Sequence, residues 1–222
     1  MKYLMTIVIL LWGVAGCTSL QQHEKIIQEQ AQQAGLVAIA KSRFDSAFVS
    51  PSENFRHYKK IIINDLDLSQ VAIVEPNSRD AFAYPWTLTD EDKRYYQARF
   101  AESAKQSLLD SGLYTSATAS AADTLILRAK ITEIAPRAAK DDGKSRPSIM
   151  NVYSEGFGRM TIAFELSDAE THKTVMLAAD EHDLGSFWEL NNRVQNNLRI
   201  RLAFDYWLHG LAKELSSVEI PK

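Results

Sequence analysis

The stretch DTLILRAKITEIAP, residues 123–136, decides the fold. Leu125, Leu127, Ala129 and Ile131 share one face of an extended chain, while Arg128, Lys130 and Thr132 share the other. A period of two predicts a half-buried strand, because successive side chains leave a strand on opposite faces. Downstream, Met160, Ile162, Phe164 and Leu166 alternate in the same way with Arg159, Thr161, Ala163 and Glu165. Ser167-Asp168-Ala169-Glu170-Thr171-His172 then reads as a hairpin turn, with Val175, Leu177 and Ala179 as the inward face of the returning strand. Upstream, residues 58–66 and 70–74 are short, Ile- and Val-rich extended runs. Two helices complete the pattern. Thr89 and Asp92 form the ends of a capping box, Tyr96, Phe100, Ala104 and Leu108 recur every fourth residue, and Gly112 stops the helix over 89–111. Asn191 or Asn192 caps a last helix whose apolar face carries Ile200, Phe204, Trp207, Leu208, Leu211 and Leu215. The order predicts an α+β fold: a two-layer, largely antiparallel sheet of four to five strands with two helices on one face.

The N-terminus carries a different signal. MKYLMTIVILLWGVAGC has Lys2 as its only charge, followed by an apolar run. That is the layout of a secretory signal peptide, and the run falls short of the roughly 20 apolar residues a membrane span needs. Val14-Ala15-Gly16-Cys17 resembles the bacterial lipobox, which implies a diacylglyceryl group on the Cys17 thiol and cleavage between Gly16 and Cys17. Thr18, rather than aspartate, follows the cysteine, which by resemblance to known sorting patterns implies the outer membrane of a Gram-negative cell, facing the periplasm. The expected organisation is a signal peptide over 1–16, a lipidated Cys17 with a polar, partly packed tether over 17–50, a single α+β domain over 51–217, and a tail over 218–222. The glutamine-rich 18–35 stretch is expected to form a tether with loose helical character.

Composition narrows the function classes. A hydrophobic content of 45% with 24% charged residues describes a globular chain, and a net charge of −3 gives no electrostatic case for nucleic-acid binding. Cys17 is the single cysteine, so disulfides and thiolate zinc sites are excluded and a core alone must hold the domain.

Several stretches carry a family resemblance: the tyrosine-led run 58–66, the helix end Leu108-Leu109-Asp110-Ser111-Gly112, the strand 123–136, Gly156-Phe157-Gly158, the hairpin residues 165–171, and the terminal helix with Phe204 and Trp207. Together with the lipobox they resemble the bacterial lipoproteins of domain-of-unknown-function family 3313, over about residues 51–217. Members often have glycine after the threonine of the hairpin, where this chain has His172. The resemblance implies a lipid-anchored periplasmic protein and supplies no catalytic residues.

Chemistry-bearing clusters are sparse. Asp180 and His182 share a strand face beside Asp183, with His172 across the hairpin; histidine and carboxylate can ligate zinc, but three well-placed ligands are needed and no helical HExxH is present, so a solvated strand end is the better account. Asp65 and Asp67 share a face at a spacing too common to specify acid–base chemistry. Asp141-Asp142-Gly143 resembles part of a calcium loop without its remaining ligands. Gly156-Phe157-Gly158 precedes a strand, whereas a dinucleotide fingerprint follows one. Two candidate interaction surfaces stand out. One is the 138–158 connection and its approach, with Arg137, Lys140, Lys144, Arg146, Ile149, Met150 and Tyr153; the other is Phe187-Trp188 before the last helix. The expected function is therefore a noncatalytic binding or accessory component of the cell envelope. It has no cofactor or metal, and its partners are membrane lipid and an envelope protein. A periplasmic hydrolase predicts a deep polar pocket, and a carrier of an apolar ligand predicts an apolar cavity between sheet and helices.

Overall fold

The computed structural model describes residues 19–76, 85–145, 149 and 151–217, with side chains from Glu24 onward. Cys17 and the signal segment lie outside the described residues, as do Arg146 and Met150.

Helix α1 (Ser19–Gln33) opens the chain and is followed by two short strands, β1 (Val37–Ala38) and β2 (Ser46–Val49). Next come β3 (Lys60–Ile63), β4 (Ala72–Ile73), α2 (Asp90–Ala104) and β5 (Thr115–Ser116). The remainder is β6 (Thr124–Pro136), β7 (Tyr153–Glu155), β8 (Gly158–Asp168), β9 (Thr174–Asp183), β10 (Trp188–Leu190) and α3 (Arg193–Ser217). An eight-stranded sheet runs β1-β2-β9-β8-β6-β3-β5, with β4 also on β6, and β10 pairs with β7 as a separate two-stranded ribbon.

The expected four-to-five-stranded, two-layer architecture is corrected: the main sheet has eight strands, and it departs from the expectation on two further counts. First, the sheet is mixed. β6 is long enough that β3 runs parallel to its first half and β4 to its second, joined by the Asp67–Lys130 bridge, while β5 adds parallel to β3. Helix α2 supplies the crossover that returns the chain parallel. Second, helices cover both faces. Helices α2 and α3 pack on the inner face, over Leu125, Leu127, Ile131, Ile162, Phe164 and Leu166. On the outer face, Ile27 and Ala31 of α1 and Leu36 just beyond it bury against Ala163, Leu177 and Ala179. The 18–35 stretch is thus largely a docked helix rather than a loose tether. Because β9 is covered on both faces, its apolar run has no polar phase to mark the inside. Leu177 and Ala179 point to α1, and Met176 and Ala178 to the main core.

The helices follow their local signals. The Asp92 amide donates to Thr89 Oγ1 at 3.3 Å, and the Thr89 amide donates to Asp92 Oδ2 at 2.7 Å, so two otherwise unpaired donors are satisfied. Thr89→Ala is expected to cost about 1 kcal/mol in urea unfolding. Tyr96, Phe100, Ala104 and Leu108 are all buried, and the helix continues through a π-helical turn, Lys105–Asp110, to Gly112. Phe204 of α3 meets Tyr96 and Phe100 edge-to-face at 6.4 and 6.0 Å. Asn192 caps α3 by accepting from the Gln195 amide at 2.9 Å. His172 sits at φ 57, a left-handed conformation that glycine adopts without cost. That matches the position where the family resemblance implies glycine.

Candidate functional site: an aromatic ribbon at one end of the sheet

The two candidate surfaces meet in space. In the β7–β10 ribbon Tyr153 lies opposite Leu190, Ser154 opposite Glu189, and Glu155 opposite Trp188. Residues 153–155 are therefore a strand rather than part of a free insertion. Phe187 is 75% exposed, Trp188 71%, Tyr153 51%, and Ile149 on the approach to the ribbon 94%. Scattered apolar side chains at a surface need no explanation, but Tyr153 and Trp188 share one face of the ribbon, diagonally across its two strands, and Phe187 immediately precedes β10.

The ribbon is held from below. The buried Ser154 hydroxyl donates to Gly156 O at 2.6 Å and accepts from Asn191 Nδ2 at 2.8 Å. The Gly156 amide donates to Phe187 O at 3.1 Å, and the Asn191 amide to Val152 O at 2.7 Å. Arg199 of α3 grips Glu189 with two bonds, of 2.8 and 2.7 Å, the strong bidentate geometry. Arg137 joins the ribbon to β9, donating to Glu155 O and, at 2.6 Å, to Asp183. Glycines make these approaches possible. A Cβ on Gly156 (φ +67) would lie 2.4 Å from Leu184 O, so the Gly156-Phe157-Gly158 stretch is a close backbone crossing.

The basic members of the 138–158 surface divide. Lys140 turns inward, pairing with Asp92, donating to Thr87 O at 2.9 Å and lying 5.1 Å over the Trp86 ring. Arg137 is committed to the ribbon, and Lys144 is exposed. The calcium-like fragment is a self-satisfied loop: Asp142 accepts from the Lys144 and Ser145 amides at 2.9 and 2.7 Å, and Asp141 accepts from the Arg193 amide at 3.0 Å. Asp67 accepts from the Ser69 amide at 2.8 Å, and the Ser69 hydrogen bonds hold its carboxyl below the ordinary aspartate range.

The Asp180–His182 pair does share a face, but that face is the core. Asp180 is buried, accepting from Trp207 Nε1 at 2.8 Å and from the Asp45 amide at 3.1 Å. His182 stacks on Tyr206 with ring centroids 4.3 Å apart, and His172 lies beyond the opposite end of β9. Among the described residues no group of three His, Cys, Asp or Glu is placed to hold a metal. Burial pushes the Asp180 carboxyl up to about 6, against the lowering effect of the Trp207 bond. A raised folded-state value means the native chain binds its proton first, so this group's contribution to stability is full below about pH 4 and is lost as pH rises through about 6. Relative to Asp180→Asn, the wild type is expected to lose about 2–3 kcal/mol between pH 4 and pH 7. Urea unfolding of both proteins across that range checks the sign. The burial-lowered titration of His182 is common to both and cancels.

Further clefts among the described residues lie beside α3 and α1. An open groove of about 940 Å³ beside α3 is lined by Ser107, Ser111, Asp205 and His209. Ser111 donates to Ser107 O at 2.7 Å, and Asp205 accepts from Ser103 of α2. Outer clefts of about 460 and 490 Å³ flank α1 and mix charged side chains, including Asp67 and Lys130 in both, with apolar ones, including Ile27 and Ala163 in both. The space between the sheet and α2–α3 is filled by Phe100, Phe164, Phe204 and Trp207.

Residues 31–211 match the family described as protein of unknown function DUF3313, and the chain belongs to that family. No curated protein matches it. Among solved structures, the chain is similar to a single-substitution variant of the PelC dodecamer from Paraburkholderia phytofirmans, with a TM-score of 0.37 and 15% identity over 70% of this chain and 88% of that one. The PelC dodecamer of the same organism in a second crystal form gives a TM-score of 0.34 and 10% identity over 69% and 89%. A neuraminyllactose-binding hemagglutinin homolog from Helicobacter pylori gives 0.38 and 8% over 74% and 86%. Likenesses this distant give no ground for transferring a ligand or an assembly.

Proposed function

We propose that this chain is a lipid-anchored, periplasm-facing outer-membrane lipoprotein that acts without catalysis, as a binding or accessory component of the cell envelope. The observation that carries the reading is the ribbon: a rigidly braced unit that presents Tyr153, Phe187 and Trp188 to its surroundings on a domain whose interior is filled. Aromatic side chains bring large contact area with few rotors to freeze, which suits them to anchoring an interface. The lipobox at Val14-Ala15-Gly16-Cys17 supports a lipid tether, which would hold the ribbon at one surface and raise its effective concentration there. Among the described residues no helix is long and apolar enough to cross a membrane.

Crosslinking in intact cells followed by mass spectrometry tests the reading, with Cys17→Ser as the control. Recurrent capture of one envelope component by the wild type, lost in the control, is the expected result. Equal capture profiles for the two proteins would count against a membrane-localised role.

A further inference from the structure

Helix α1 has a direction, and that direction sets which end of the sheet its start faces. Its C-terminal end leads through Leu36 to Val37, which pairs with Val49, itself paired with Met176 near the β8–β9 hairpin. At mid-helix, Ile26 and Ile27 line one cleft with Ala72, Thr132, Thr161 and Ala179, well along the sheet from that hairpin. The helix therefore begins toward the end of the sheet where β8 starts and β9 finishes. Cys17 precedes Ser19 by two residues, a reach of at most about 7 Å. The ribbon springs from that same end: β7 enters β8 through Gly156 and Phe157, and β9 leaves for β10 through Leu184 and Gly185.

We infer that the β7–β10 ribbon is a membrane-contacting edge, with Tyr153, Phe187 and Trp188 seated at the headgroup–acyl boundary of the bilayer that carries the Cys17 lipid. This rests on the lipid-anchor reading above and names the component that the ribbon engages. The side chains suit that depth, since Trp and Tyr combine an apolar ring with a polar tip and concentrate at membrane–water interfaces. The backbone and the charges suit it as well. The two strands pair antiparallel, Glu189 is held by Arg199, and Glu155 and Asp183 share Arg137, so each of these carboxylates keeps an arginine beside it where the local polarity falls. A lipid anchor restricts the domain to one surface, and the ribbon then fixes which edge faces it.

Trp188 reports on this directly. With Trp12 in the signal segment, the mature chain keeps Trp86 and Trp207, both buried, and the exposed Trp188. The lipidated protein is reconstituted into phosphatidylethanolamine–phosphatidylglycerol vesicles with and without brominated phospholipid, alongside Trp188→Phe, whose emission is subtracted. The Trp188 component is expected to be quenched at least twofold by brominated lipid. It is also expected to be at least twofold less accessible to acrylamide than in soluble Cys17→Ser protein. An unquenched, fully acrylamide-accessible Trp188 in protein that floats with the vesicles would overturn the inference and leave the anchor standing. Protein that does not float would overturn the anchor and the inference together. A photo-crosslinker at Phe187 that captures an envelope protein instead of lipid would overturn the membrane contact alone.

Discussion

Gly158→Ala is expected to keep the domain from reaching its native fold. Gly158 has φ +137, a region that side chains other than glycine's adopt only under strain. It faces Pro136 in the β6–β8 pairing, and its carbonyl accepts from the Leu184 amide at 2.7 Å. A Cβ here would lie 2.2 Å from Ala135 O and 2.8 Å from Pro136 Cα. Both obstacles are backbone, held in the central strand pair, so relief requires separating β6 from β8 where the ribbon begins. Strain of about 1–3 kcal/mol adds to the steric cost, and together they approach the whole stability of an ordinary domain, about 5–15 kcal/mol. Gly143→Ala separates the two effects, because Gly143 has φ +71 with nothing within 4 Å of its added Cβ. Thermal unfolding should show a small loss for Gly143→Ala and little or no cooperative transition for Gly158→Ala. Matching melts for the two variants would mean that the crossing at Gly158 is looser than described.

Trp207→Ala is the second large effect. The indole is fully buried, meets Phe204 edge-to-face at 6.0 Å and His182 at 6.0 Å, and donates through Nε1 to Asp180. Removing a buried aromatic of this size costs about 3–5 kcal/mol, and Asp180 Oδ2, left without its donor while Oδ1 keeps the Asp45 amide, adds to that. Trp207→Phe refills most of the volume but not the hydrogen bond, so it should fall between wild type and alanine. Urea midpoints in the order wild type, phenylalanine, alanine are expected at pH 7. At pH 4, where Asp180 is protonated, the gap between wild type and phenylalanine should narrow. A gap independent of pH would assign the cost to packing alone.

These two sites also show how far the fold can be read from the chain. Periodic segments are legible: the inner faces of β6 and β8, the Tyr96-to-Leu108 stripe and the apolar face of α3 all bury the residues their spacing selects. Where both faces of a strand are covered, alternation loses its meaning, which is why spacing alone puts Leu177 and Ala179 in the wrong layer. Strands β1 and β5 are two exposed residues each, leaving no buried side-chain signature to find, whereas β4 falls within the Val- and Ile-rich run over 70–74 and packs Ile73 against the core. Among the described residues, α1 buries Ile27 and Ala31 within a glutamine-rich helix, too few positions to set a face apart. The ribbon is half legible. Phe187, Trp188 and Tyr153 stand out separately, but their meeting depends on the close approach of Gly156 and Gly185, a contact between residues far apart in the chain. Asp180 reads as a strand-end carboxylate because nothing local to it announces the Trp207 indole that buries it.

The central claim is the lipid on Cys17, and intact-mass analysis of the protein extracted from its own membranes tests it most directly. A chain that begins at Cys17 and carries the added mass of a diacylglyceryl group, with or without a further acyl chain on the new amine, is the expected result. A chain cleaved elsewhere, or one beginning at Met1 with an unmodified Cys17 thiol, would contradict it.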